Sequence, residues 1–182
     1  MDRIKLATVW LGGCSGCHMS FLDLDEALID LAEKVDIVFS PIIDTKEYPE
    51  NVDLVLVEGA VCNEEHVEMA HKIRKRTKYV VSFGDCAVTG NVTALRNQLG
   101  LDNAESVLQR AYVELADGSG GIPKSPGIVP QLLERVMPLH EAIPVDFYIP
   151  GCPPPAERIK SFLTQILEGK TPSLEQENIK FG

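Results

Sequence analysis

Five cysteines carry the reactive chemistry of this 182-residue sequence. Cys14 and Cys17 form a C-x-x-C pair in GGCSGCHMS, whereas Cys62, Cys86 and Cys152 stand singly in VEGAVCNEE, SFGDCAVTGN and YIPGCPPP. The pair alone fits three chemistries: dithiol exchange, a tetrahedral zinc site, or an iron-sulfur cluster. The choice depends on where the single cysteines fall relative to the fold.

The segments between them alternate. Runs rich in Val, Ile, Leu and aromatics predict strands over Ile4–Leu11, Val35–Ile42, Val52–Glu58, Lys78–Phe83 and Val145–Ile149. Helical spacing predicts helices over Ser20–Lys34, Glu64–Arg76 and Ala156–Glu168, the first with Phe21, Leu24, Leu28 and Leu31 on one stripe. Near-continuous apolar strands separated by helices predict a parallel sheet covered on both faces, an α/β fold of the flavodoxin-like, doubly wound kind. At this length one domain over residues 1–182 is expected. From about 101 to 144 the periodicity weakens, and ADGSGGIPKSPGIVP is rich in Gly and Pro. That stretch is read as irregular, either a mobile loop or a partner-contacting segment.

In such a fold Cys14 and Cys17 follow the first strand, Cys86 the fourth and Cys152 the fifth. All strands of an open parallel sheet end along one edge, where ligands bind, so these four cysteines are expected to converge. Glycines 13, 16, 84 and 151 lie beside them and let backbone pass close to a bulky group. Four converging thiolates point to zinc or an iron-sulfur cluster. The lack of a second short-spaced pair, and a Cys152-Pro153 like the Cys-Pro that closes ferredoxin motifs, favour a cubane over zinc. A dithiol would leave Cys86 and Cys152 without a role. Cys62 is read as a small buried apolar residue on the same edge, with service as a substitute ligand the alternative.

The formal net charge of −10 argues against nucleic acid, and the basic run 72–76, preceded by acidic Glu64, Glu65 and Glu68, reads as a solvated helix face. No apolar run nears the roughly 20 residues of a membrane span, and the N-terminus lacks a basic, cleavable leader, so a cytoplasmic protein is expected. There, cysteines serve metals or redox chemistry more often than structural disulfides.

WLGGCSGCHMSFLDLD, VDLVLVEGAV, SFGDCAVTGN and IPGCPPP, in that order, resemble the small subunit of nickel-iron hydrogenases, most closely the cytoplasmic bidirectional NAD-linked kind of cyanobacteria. The resemblance covers nearly the whole chain. It implies one 4Fe-4S cluster on Cys14, Cys17, Cys86 and Cys152, proximal to a Ni-Fe site in a separate large subunit. It also implies electron relay to diaphorase-type iron-sulfur/flavin subunits that reduce NAD. No catalytic residue is expected in this chain, which has no second C-x-x-C pair to bind nickel. Many respiratory relatives continue into a second cluster domain; here the sequence ends after the helix following Cys152, so electrons are expected to leave through another subunit. Gly13 stands where many relatives have Glu, which removes that carboxylate from any proton route. The separation of Cys14 and Cys17 by Ser15-Gly16 departs from the adjacent cysteines of the related complex I subunit. Another cytoplasmic nickel-iron hydrogenase, such as a sulfhydrogenase, and a zinc-binding interaction module are the alternatives.

Three smaller expectations complete the reading. Backbone N–H groups around Gly13, Gly16 and the first helix start are expected to bond cluster sulfur. His18 is expected to face solvent or a partner. Glu58 is read as capping a neighbouring backbone N–H.

Overall fold

The computed structural model describes residues 3–100, 102–116 and 119–173. Strands β1 (Ile4–Trp10), β2 (Val35–Phe39), β3 (Val52–Glu58), β5 (Thr77–Phe83) and β7 (Phe147–Ile149) form one sheet in the order β2-β1-β3-β5-β7, every neighbouring pair parallel. Counted within the sheet this is 2-1-3-4-5, the flavodoxin-like winding expected from the strand-helix alternation. The order reverses at β1, so the crevice that opens at such a switch lies beside the loop carrying Cys14.

Side-chain alternation gives the sheet two cores. Leu6, Leu54, Leu56, Val81 and Phe83 face α1 (Gly16–Leu22), α2 (Ala27–Lys34) and α7 (Ala156–Leu167) through Phe21, Leu31, Ile159 and Phe162. Ala7, Val9, Val55, Val57 and Val80 turn the other way, onto Ala70 and Ile73 of α3 (Glu64–Arg76), Ala87 of α4 (Asp85–Thr89) and Leu139 of α6 (Leu139–Ala142). Strands buried on both faces need the unbroken apolar runs seen in VDLVLVE.

Two expectations are corrected. The helix expected over Ser20–Lys34 is two helices, α1 and α2, parted by a turn at residues 23–26 in which Asp25 adopts φ 48°. Asp is a weak helix former and tolerates the left-handed region, while the Phe21–Leu24–Leu31 stripe still reaches the core across the turn. The segment expected to be irregular over 101–144 contains α5 (Asn103–Gln109), a π-helical turn Arg110–Glu114, strand β6 (Leu132–Met137) and α6. β6 pairs antiparallel with the three-residue β4 (Val61–Asn63), a pairing across a long connection that local patterning does not reveal. Within it, residues 119–131 carry no helix or strand.

Candidate functional site

The four cysteines lie where the strand-end reasoning puts them. Cys14 follows β1, Cys17 lies in α1, Cys86 in α4 directly after β5, and Cys152 just after β7. Cys17 and Cys86 are buried, Cys14 and Cys152 exposed, and all are free thiols. Burial pushes the Cys17 thiol well above its usual range, and the negative charges of Glu58 and of Cys86, Cys14 and Cys152 push it further. Cys86 is raised in the same way, by burial first and by Cys14, Cys152 and Glu58, while a Thr93 hydrogen bond opposes the rise. The buried Cys17 thus sits within the electrostatic field of Cys14, Cys86 and Cys152, and the buried Cys86 within that of Cys14 and Cys152, so negative charge on these neighbours disfavours ionisation of the buried pair. A cationic centre between them would reverse that repulsion.

The turns that carry them have backbone only glycine adopts easily. Gly84 has φ 81°, and a Cβ there would stand 2.1 Å from Cys17 Sγ. Gly151 has φ 138°. The loops are also laced together. Gly151 N–H donates to Asp85 Oδ1 at 2.6 Å while Asp85 N–H donates back to Gly151 O at 2.9 Å, joining the Cys86 and Cys152 turns. Ser20 Oγ of α1 donates to Pro154 O at 2.5 Å, and the buried Arg158 of α7 donates to Pro150 O. A pre-set thiol constellation follows from these bonds rather than from the cysteines themselves.

Glu58 ends β3 and is 1% exposed. Its carboxylate accepts from Cys17 N at 3.3 Å, from His18 N at 2.9 Å and from His18 Nδ1 at 2.5 Å. The capping expected of it is therefore present, at the start of the very helix that holds Cys17. The expectation for His18 is corrected: it is 8% exposed, its ring packs edge-on against Phe83, and Nε2 has no hydrogen-bond partner among the described residues. The expectation for the helix-start N–H groups changes with it, because those of Cys17 and His18 point into Glu58.

Cys62 stands apart. It lies half-buried in β4, its Sγ 3.3 Å from His66 Nδ1, and Arg96 donates to its carbonyl at 3.2 Å. Burial raises the Cys62 thiol and lowers His66, so the two rest as neutral thiol and imidazole rather than as an ion pair. Sequence reasoning passed over Asn91, whose Nδ2 lies 3.4 Å from Cys152 Sγ. The Gly90-Asn91 step, a turn signal four residues after Cys86, was the trace of it. Among the described residues no three His, Cys, Asp or Glu side chains are placed to hold a single metal ion, and no helix is long and apolar enough to cross a membrane.

A family model described as NADH ubiquinone oxidoreductase, 20 Kd subunit, matches residues 14–166. The chain is 41% identical over 184 residues to a subunit of the F420-non-reducing hydrogenase of Methanothermobacter marburgensis, covering 98% of this chain and 58% of that one, so it spans little more than half that relative's length. It is 40% identical over 172 residues to the delta subunit of the NAD-reducing hydrogenase HoxS of Cupriavidus necator, covering 92% of this chain and 80% of that one. A crystal structure of an NAD+-reducing NiFe hydrogenase in the H2-reduced state contains a chain that superposes with a TM-score of 0.92 at 40% identity, covering 100% of both. The chain belongs to the NADH ubiquinone oxidoreductase 20 Kd subunit family, among its hydrogenase members.

Proposed function

We propose that this chain is the small, electron-transferring subunit of an NAD-linked nickel-iron hydrogenase, holding one 4Fe-4S cluster on Cys14, Cys17, Cys86 and Cys152. The observation that carries the reading is the placement of four cysteines on laced loops at one sheet edge, with the buried Cys17 and Cys86 in the electrostatic field of the exposed Cys14 and Cys152. Membership of the family implies an iron-sulfur centre. The donor set fits one: four soft sulfurs suit iron, and the space that a Cβ at Gly84 would fill against Cys17 Sγ is kept open.

Bound there, the cluster supplies one-electron storage between the Ni-Fe site of a large subunit and diaphorase-type iron-sulfur/flavin subunits. The chain's own residues set the terms. Glu58 fixes the helix start that carries Cys17, Asp85 fixes the Cys152 turn, and buried Cys17 and Cys86 shield one side from water. Exposed Cys14 and Cys152 leave the other side at the surface, where a partner's redox centre approaches. Trp10, Met19, Val92, Leu95 and Leu99, all near these loops in sequence, are exposed apolar side chains of the kind a large-subunit interface covers. Tyr112, Leu115 and Ile128 extend that supply into the segment read as partner-contacting. The 41% identity to a subunit of an F420-non-reducing hydrogenase supports a second reading, the same role in a hydrogenase with another electron acceptor.

Iron, sulfide and zinc analysis of anaerobically purified complex, with EPR after dithionite, tests this. Roughly four iron and four sulfide per chain and a reduced-cubane signal are expected. Serine at any of positions 14, 17, 86 and 152 should abolish or alter that signal, and Cys62→Ser should leave it. Zinc at one per chain with no EPR signal would refute the reading, and H2-driven reduction of an acceptor other than NAD would favour the second.

A further inference from the structure

The positions flanking Cys152 offer few backbone donors. Gly151 N–H is engaged by Asp85 Oδ1 at 2.6 Å, and the three residues after Cys152 are Pro153, Pro154 and Pro155, which have no N–H. Among the described residues, the donor that reaches Cys152 Sγ is a side chain 61 positions away, Asn91 Nδ2 at 3.4 Å.

Asn91 is held for that contact. It opens a 3-10 helix, Asn91–Leu99, with φ 37°, directly after Gly90 at φ 86°. Non-glycine residues rarely adopt this region, and Asn is among the few that tolerate it. The helix is clamped at several points. Thr93 Oγ1 donates to Gly12 O at 3.0 Å, Arg96 to Leu133 O at 2.6 Å, and Asn97 exchanges two 2.8 Å bonds with Val136 of β6. The amide therefore cannot drift from the sulfur by moving its helix.

We propose that Asn91 is a positioning residue that sets the reduction potential of the centre at the Cys152 corner, by donating the N–H that the proline run and Asp85 withhold. The inference rests on the cluster reading above. A donor to a ligand sulfur stabilises the form with more negative charge, so it favours reduction. The reaction concerned is uptake of one electron, with no bond made or broken.

The test is an EPR-monitored redox titration of the whole complex with Asn91→Gly and Asn91→Asp. Both residues accept a positive φ, so both variants should fold, with the melting temperature of the Gly variant unchanged or higher. Asn91→Gly removes the donor and should shift the one-electron equilibrium severalfold toward the oxidised form. Asn91→Asp adds a negative charge and should shift it about tenfold, which is about 59 mV downward. Iron and sulfide content should match the unsubstituted complex. An unchanged potential in Asn91→Gly, with iron and sulfide retained, would overturn this proposal alone whatever the added charge of Asn91→Asp does. An unsubstituted complex without iron and sulfide would overturn the cluster reading and this proposal with it.

Discussion

Removing the Glu58 carboxylate is the most direct test of how the site is held. Its backbone will stay in place, since Glu58 is paired across the sheet with Trp10 on one side and Phe83 on the other, and its carbonyl accepts from Leu11 N at 2.8 Å. The side chain alone is under test. Glu58→Ala strands three buried donors: the N–H groups of Cys17 and His18, and His18 Nδ1. An unmet buried donor costs about 1–3 kcal/mol, and loss of one partner from a buried charged contact costs about 3–5 kcal/mol. The Ala variant should therefore lose about 3–5 kcal/mol in urea unfolding. Glu58→Gln keeps one acceptor oxygen, so it should lose about 1–3 kcal/mol. Hydrogen exchange locates the damage: the amides of Cys17 and His18 should lose protection in both variants while those of β3 keep theirs. The Cys17 thiol gives a second readout. Burial is the larger cause of its raised pKa and Glu58 the next, so Glu58→Gln should bring it down in part and leave it above an ordinary thiol. Losses under about 1 kcal/mol in both variants, with the two amides still protected, would refute the claim that this carboxylate holds the helix start.

Two further substitutions probe packing and charge. Gly84→Ala would set a Cβ 2.1 Å from Cys17 Sγ at a φ of 81°, so we expect about 2–5 kcal/mol of destabilisation, from overpacking and backbone strain together, and reduced iron retention, checked by urea midpoint and iron analysis. His66 is lowered from its usual pKa chiefly by burial, so the fold favours neutral imidazole. That stabilisation is complete above about pH 6.5 and is lost as pH falls from there through the lower folded value; unfolding midpoints at several pH values should show a shallower acid decline in His66→Gln.

The sheet was legible because its central strands β1, β3 and β5 are apolar runs buried on both faces. Helices between β1 and β2, between β3 and β5 and between β5 and β7 dictate parallel pairing, although β2 is a half-exposed edge strand joined to β3 without a helix. The cysteine placement followed at once, since strand ends in such a sheet share an edge. The α1–α2 break was not legible. Phe21, Leu24 and Leu31 keep their spacing across the turn, so the hydrophobic stripe carries no sign of it, and Asp25 alone marks the position. β4 and β6 are separated by a long connection, and three residues of Val-Cys-Asn give no alternation to read.

What the sequence conceals about the site is the destination of its donors. Glycines and a helix start beside cysteines suggest backbone N–H groups aimed at sulfur, and Cys17, His18 and Gly151 are at such positions. In the fold those three N–H groups are claimed by Glu58 and Asp85, two carboxylates from other strand ends. Both acids also tie together the loops that must stay at a fixed separation, so the same bonds that make the thiol constellation rigid leave fewer local donors for it. A side-chain amide then carries the contact at Cys152, and it arrives from a segment whose only visible mark is Gly90-Asn91. Rigidity and donor supply are in competition at this edge, and the competition is visible only once the strand ends stand side by side.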